Sequence, residues 1–324
     1  MAKANLTSPE FTNEAAAIAH LEASRWAGEP NCPHCGSVNV MRMGGKTQAG
    51  YWLCRDCRDK FTARTGTVME RSHIPVHKWL LAIHLMNSSK KGISAHQLHR
   101  SLGVTYKSAW FLAHRIREAM KETTASSGPL GGTGKVVEAD ELYYGARETP
   151  YVSPQRKGRP YIKKNRPPAK RIILGLVERG GKVRTFHIQD ATTASIAYVV
   201  RTNVRRESNL QTDEAGMYKK LGTEFEGGHD TVLHAAHEYA RREGERLVTT
   251  NTIENVFSVF RRGMKGVYQH CGESHLHRYL AEFDFRYNRR SALGIGDNER
   301  AAQALKGIAG KRLTYRRPDK AINA

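Results

Sequence analysis

Apolar positions recur along this chain with two rhythms. In "PVHKWLLAIHLM", Val76, Trp79, Leu80, Ile83 and Met86 fall on one face of a 3.6-residue turn, which predicts an amphipathic helix beginning just after Pro75. The stretch "ISAHQLHRSLGVTYKSAWFLAHRIREAM" predicts a short helix, a break at Gly103 and a second helix with Ala109, Leu112 and Ile116 on one side, the pattern of a helix-turn-helix. A helix is also expected over "NEAAAIAHLEASRW". The segment after it, rich in Gly, Thr and aromatics, suits short strands and turns.

Further on the rhythm shortens. "KVVEADELYYG", "RIILGLVER" and "KVRTFHIQD" predict three strands, "TTASIAYVVRTNV" a helix and "SNLQTD" a short fourth strand. Helices then dominate, one of them with Ile253, Val256, Phe257, Phe260 and Met264 as its buried stripe. Ser, Thr, Gly and Pro concentrate in "KETTASSGPLGGTGK", where a linker is expected. "SPQRKGRPYIKKNRPPAKR", between the first two strands, is too rich in Pro and charge to pack and is read as an exposed loop. The expected divisions are an N-terminal helix and ribbon over 1–70, a helix-turn-helix region over 71–122, a linker over 123–135, a larger strand-and-helix domain over 136–310 and a basic tail over 311–324.

Charge changes the picture next. The 324 residues carry 52 Lys+Arg against 31 Asp+Glu, a formal net charge of +21. Such an excess favours a polyanionic partner, because each neutralised phosphate releases condensed counterions. No apolar run approaches the ~20 residues of a spanning helix, so a membrane partner is not expected. Glu14 and His20 interrupt the alanines near the start, leaving no secretory apolar core. The expectation is a soluble, cytoplasmic protein held at the nucleoid by DNA.

Four of the five cysteines form two C-x-x-C pairs, Cys32 with Cys35 and Cys54 with Cys57, separated by eighteen residues. Two such knuckles supply the four soft ligands of one structural zinc ion and leave it no open position. Arg55, Arg58 and Lys60 beside the second knuckle tilt this ribbon toward DNA. Cys271 has no partner in sequence and is read as a buried apolar residue.

Acidic residues in so basic a chain need a reason. Asp140 and Asp213 each end an apolar strand-like run, and Glu254 lies on a helix where Asn251, Ser258 and Arg261 share its stripe. Strand and helical carboxylates together can hold two hard cations about 3.5–4 Å apart, the arrangement used for in-line phosphoryl transfer. Three strands, a helix, a fourth strand and then a helix with the last carboxylate is the RNase H-like order. The fold class expected is therefore α/β, an RNase H-like mixed-sheet domain preceded by a small zinc ribbon and a helix-turn-helix.

"VEADELYYG", "QTDEAGMY", "TNTIENVFSVFRRGMKGVYQH" and "HRYLAEFDFRYNRR" together resemble the bacterial insertion-sequence transposases of the IS-1595 group, over nearly the whole chain. The resemblance implies a DDE transposase that binds terminal inverted repeats and cuts and rejoins DNA with two Mg²⁺ (or Mn²⁺) ions. It implies Asp140 and Asp213 as the first two ligands. Members place Glu or Asn last, so Glu254 is chosen on charge grounds with Asn251 as co-ligand. Where the family often has Lys about seven residues later, this chain has Arg261, which keeps the charge and changes its geometry.

Glu282, Arg286 and Arg289, at i, i+4 and i+7, belong to the same family pattern and are read toward an active-site or phosphate role. The further expected DNA contacts are Lys107, Arg115, Lys163, Lys164, Arg262 and Lys265, with Arg156, Lys157, Arg159 and Arg166 completing a clamp in the charged loop. Among the histidines, His234 is expected beside the catalytic core, and His229 and His237 in solvent. Holding two element ends calls for a dimer or higher oligomer on double-stranded DNA. Two rival readings stay open: a non-catalytic DNA-binding regulator derived from a transposase, and a simple RNase H-like nuclease.

Overall fold

A computed structural model describes residues 5–45, 48–122, 124–148, 169–244 and 246–314. The expected clamp lysines Lys163 and Lys164, with Arg156, Lys157, Arg159 and Arg166, lie outside the described residues. The chain folds as two compact units. One comprises the described residues up to Lys121 and those from Arg289 on, the other Glu122–Asn288.

The first unit opens with α1 (Pro9–Thr12) and α2 (Glu14–Trp26), the latter capped by the Asn13 side chain accepting from Ala16 N–H at 3.0 Å. A three-stranded antiparallel sheet follows: β1 (Val40–Arg42), β2 (Tyr51–Cys54) and β3 (Lys60–Thr62). Trp26 packs edge-on against Trp52 and Phe61 with centroids 5.8 and 5.9 Å away, so α2 supplies the core that a ribbon lacks. Next come α3 (Val76–Asn87), α4 (Ala95–Leu102) and α5 (Tyr106–Met120). Ser94 and Thr105 cap the last two, and Gly103 between them takes φ 58°, a left-handed turn in which a Cβ would be strained.

Residues 289–310, assigned from sequence to the catalytic domain, belong instead to this first unit. Their helix α11 (Asp297–Lys306) packs on α3, with Ala304 and Leu305 buried and Arg300 donating to the Asn87 carbonyl at 2.7 Å. The amphipathic pattern was visible; the partner it covers is more than 200 residues upstream.

In the second unit the expected linker is not free. It contains α6 (Thr124–Ser127), buries Leu130 and receives bonds from Arg184 at Thr124 Oγ1 and Ser127 Oγ. Then come β4 (Val136–Ala146), β5 (Lys170–Glu178), β6 (Val183–Ile188), α7 (Thr193–Asn203), β7 (Asn209–Asp213), α8 (Gly216–Gly222) and β8 (His229–Val232). A hairpin of β9 (Ala240–Glu243) and β10 (Arg246–Thr249) leads into α9 (Asn251–Gly263), and α10 (Leu276–Tyr287) ends the unit.

The five-stranded sheet has the order β6-β5-β4-β7-β8, antiparallel among β4, β5 and β6 and parallel from β4 through β8. This is the RNase H-like sheet anticipated from the order of elements. One face carries α7 and α8 over Val137, Ala139, Leu174 and Leu176; the other carries α9 and α10 over Leu142, Ile173 and Val177. Strand β5 reads as a nearly continuous apolar run, whereas β4 and β7 carry polar side chains, Glu138, Asp140, Gln211 and Asp213, on the face toward α9.

Gly175 faces Asp140 across the β4–β5 ladder. A Cβ there would lie 2.5 Å from Ile253 Cδ1 and 2.7 Å from Phe257 Cζ, so its absence lets α9 close on the sheet beside Asp140. Gly175→Ala is expected to cost about 1–3 kcal/mol by overpacking and to lower the melting temperature of the Glu122–Asn288 unit. Thermal denaturation followed by near-UV circular dichroism measures it.

Candidate active site and zinc centre

The two aspartates are brought together by strand pairing. Glu138 and Gln211 are direct partners in the parallel β4–β7 ladder, and Asp140 and Asp213 stand two residues further along the same strands on the same face. Helix α9 crosses that face and carries Glu254 in its first turn. Burial pushes the Asp140 carboxyl up to about 6, against the 2.7 Å bond it accepts from Glu141 N–H, and the negative charges of Asp213 and Glu254 push it the same way. His234 opposes them, so all four groups share one electrostatic neighbourhood.

Each member has a holder. Asp213 accepts from Ala215 N–H at 3.1 Å, and Glu254 accepts from Thr250 Oγ1 at 3.0 Å. His234 lies with Nε2 3.5 Å from Glu254 Oε1, its own backbone N–H donated to Glu214 at 2.8 Å. Glu141, unremarked in the sequence, is a fourth carboxylate here. Burial raises it to about 7, and the buried Tyr218 hydroxyl donates to it. Asn251 is exposed at the start of α9, its backbone N–H bonded to Thr249 Oγ1 at 3.2 Å.

The donor set is all oxygen and its charges repel, which fits hard dications: burial first, and then the charges of Asp213 and Glu254, raise Asp140, and bound cations would favour its ionised form. Among the described residues the one group of three or more His, Cys, Asp or Glu whose ligand atoms all lie within 4.8 Å of one another is the four cysteines.

That group is the ribbon's. Cys32 Sγ lies 3.7 Å from Cys57 Sγ, and Cys35 Sγ 3.6 Å from Cys54 Sγ. Tetrahedral zinc with Zn–S near 2.3 Å sets S···S edges of about 3.8 Å, so the thiols fit one ion. Asp56 ties the knuckles together by accepting from Ser37 Oγ and Asn39 Nδ2. Cys271 is buried elsewhere, as expected for an apolar residue.

Comparison with known proteins agrees with this layout. The ISXO2-like transposase domain family matches residues 129–288, and the transposase zinc-ribbon domain family matches residues 12–60. The chain belongs to the IS-1595-like transposases. It is 27% identical over 285 residues to an uncharacterised protein in transposable element ISH50 of Halobacterium salinarum, covering 85% of this chain and 91% of that one. Among solved structures it is similar to the Mos1 strand transfer complex, with 12% identity, TM-score 0.28, and coverage of 65% of this chain and 69% of that one. A pre-cleavage Mos1 transpososome gives 11% identity and TM-score 0.18, with 60% and 72% covered. The zinc ribbon of this transposase makes a structural Zn²⁺ part of its fold.

Several expected DNA contacts have other partners in this transposase. Arg115 is buried: its Nη2 donates to the Glu70 carbonyl at 2.6 Å and its guanidinium lies over Trp79 and Phe111. Arg286 is buried in α10 against Phe283 and paired with Glu282, which also accepts from Tyr268 Oη at 2.6 Å. The Glu282–Arg286 pair, expected from the sequence to take an active-site or phosphate role, is therefore enclosed in the second unit. Arg289, half-buried in the first unit, donates to Gln303 at 2.6 Å. His229 is half-buried rather than solvated, with Nε2 3.0 Å from Thr212 Oγ1. Arg55, Arg58, Lys60, Lys107, Arg261, Arg262 and Lys265 are exposed. No described helix is long and apolar enough to cross a membrane.

Two outcomes follow. Zinc removal by a thiol-competing chelator should release one ion per chain and disorder β1–β3, reported by a red shift of Trp26 and Trp52 emission while the five-stranded sheet keeps its circular dichroism. Asp140, at about 6 folded against 3.8 in the open chain, holds its proton more tightly when folded. Stability is therefore lost as pH rises through that window and stays lower above it. In magnesium-free buffer at neutral pH, Asp140→Asn should stabilise the second unit by at most about 3 kcal/mol, a gain that disappears near pH 4. Thermal melts at both pH values test this.

Proposed function

We propose that this transposase cleaves double-stranded DNA at the terminal inverted repeats of its insertion sequence and joins the freed 3′ end to a target, using Asp140, Asp213 and Glu254 as ligands for two Mg²⁺ or Mn²⁺ ions. The placing of Asp140 and Asp213 two residues beyond the Glu138–Gln211 pair on one sheet face, under the helix that carries Glu254, carries this reading; burial and then the charges of Asp213 and Glu254 raise Asp140. Uncompensated like charges at a strand end cost stability and find a use where cations bind. Bound there, two hard dications supply charge neutralisation for the attacking and leaving oxygens of in-line phosphoryl transfer. Glu254 is favoured over Asn251 as third ligand because its anionic side chain shares the field of Asp140.

The protein's own residues bind and orient the nucleic acid. Along α9, Arg261 stands seven residues beyond Glu254, about 10 Å further on nearly the same side, with Arg262 and Lys265 next to it. These exposed cations flank the acidic centre with a track for phosphates. In the helix-turn-helix, most of α5 is buried, yet Tyr106 and Lys107 in its first turn are exposed. The N-terminal turn of a recognition helix is the part that reaches base edges. The exposed Arg55, Arg58 and Lys60 of the ribbon offer further phosphate contacts. Two ends held together imply a dimer or higher oligomer on DNA.

Strand transfer of a labelled terminal-repeat oligonucleotide into plasmid in Mg²⁺ tests the reading. Wild type should give joined product, and Asp213→Asn should lose it at least a thousandfold while still shifting the end oligonucleotide in a gel. End binding with neither cleavage nor joining in wild type would favour a DNA-binding regulator, and cleavage without joining a simple nuclease.

A further inference from the structure

The acidic centre stands on a second polar layer that the ligand reading does not use. Glu138, two residues before Asp140, is completely buried. Its Oε2 accepts Thr252 N–H at 2.8 Å and Ile253 N–H at 3.0 Å; its Oε1 accepts Thr252 Oγ1 at 2.7 Å and Arg179 Nε and Nη2 at 3.0 and 2.8 Å. Gln211, two residues before Asp213, is equally buried. Its Oε1 accepts Thr249 N–H at 2.9 Å and Arg179 Nη2 at 2.8 Å, and its Nε2 donates to the Leu247 carbonyl at 3.2 Å. Arg179 completes the bridge by donating to the Leu247 and Thr249 carbonyls at 2.8 and 3.1 Å.

The bonds to Leu247, Thr249, Thr252 and Ile253 grip one short segment, residues 247–253, which ends one residue before Glu254, and Arg179 ties the two acceptors to each other. Helix α9 lacks a cap of its own, because the Thr250 hydroxyl is turned to Glu254. The N–H groups of Thr252 and Ile253 in its first turn are satisfied instead by a carboxylate from β4, which the positive end of the helix also attracts. A buried charge is costly unless fully paired, and Glu138 is met by a guanidinium, a hydroxyl and two amides. An apolar side chain would bury this surface at less cost but would not fix where the helix begins.

We propose that Glu138, Arg179 and Gln211 are positioning residues of the catalytic centre, a bridge of two buried acceptors and a half-buried guanidinium that locks Glu254 against the two aspartate strands. The strand pair repeats one arrangement: Glu138-Ala139-Asp140-Glu141 beside Gln211-Thr212-Asp213-Glu214, a holder two places before each ligand. The inference rests on the metal-ligand reading of Asp140, Asp213 and Glu254, and on geometry independent of it.

Mn²⁺ binding by electron paramagnetic resonance on the full-length, zinc-loaded protein tests it. Glu138→Gln keeps the shape but turns an amide N–H₂ toward existing donors; it should weaken Mn²⁺ binding about 10–100-fold, the range of outer-shell losses. Ile196→Ala, a cavity under α7 on the opposite sheet face, serves as a comparator for lost stability and should leave Mn²⁺ binding unchanged. Glu138→Asp should restore part of the loss. Wild-type affinity in folded Glu138→Gln, or an equal loss in Ile196→Ala, overturns the proposal. Where Glu138→Gln fails to fold, Gln211→Leu takes its place with the same expectation and the same overturning result. If wild type binds no Mn²⁺ that Asp140→Asn abolishes, the ligand reading fails. Hydrogen exchange then decides the positioning role: at least tenfold faster exchange over residues 250–254 in the variant, with α7 unchanged, supports it, and unchanged exchange overturns it.

Discussion

The seating of α9 on the β4–β5 pair is the constraint on which the rest of the second unit depends. A helix over a sheet ordinarily stands off by the depth of two side-chain layers. At Gly175 one layer is missing, and Ile253 and Phe257 occupy the space directly beside Asp140. The apolar stripe of α9 thus brings its polar neighbour, Glu254, within reach of two aspartates whose spacing the parallel ladder has already set. Apolar burial supplies the driving force, roughly 25 cal/mol per Å², but it is non-directional. Direction comes from the hydrogen bonds of Glu138 and Gln211.

Both units use the same solution for a helix that lacks its own cap. In the first, α3 begins after Pro75, and Glu14 from α2 accepts Val76 N–H at 2.8 Å and His77 N–H at 3.1 Å. In the second, Glu138 does this for α9. A cap from a distant element couples a helix's start to that element's position, which a local Ser or Thr cap does not do. The locally capped helices, such as α4 and α5, meet at the Gly103 turn, where their geometry is set within the motif itself.

Charge is divided by depth rather than by region. Among the described residues, Lys and Arg such as Arg55, Lys60, Arg261 and Lys265 are exposed, while buried arginines such as Arg115, Arg171, Arg184 and Arg300 serve as hydrogen-bond hubs for main-chain carbonyls. A guanidinium presents five donors in a plane and so ties several loop carbonyls at once. The carboxylates at Asp140, Asp213 and Glu254 are the opposite case, acids gathered with too few donors around them. That imbalance suits the cations of the proposed function.

Much of this was legible before folding, because it is written in local spacing. The two C-x-x-C knuckles, the helix-turn-helix around Gly103, the strand ending at Asp213 and the buried stripe of α9 each lie within a few residues, and each formed where periodicity placed it. What only the tertiary structure decided is which polar groups lose their water. Arg115 sits at a helical position compatible with solvent, yet Trp79 and the Glu70 carbonyl from earlier in the chain enclose it, and Arg286 is buried with Glu282 where α10 meets the core of its unit. Glu138 reads as one more acid in a strand until Thr252 and Ile253 arrive from 114 and 115 residues away. The return of residues after Asn288 to the first unit is of the same kind. A sequence fixes period and ligand type through neighbouring residues, whereas burial is a property of whichever surface closes over a side chain, and that surface is assembled from the whole chain.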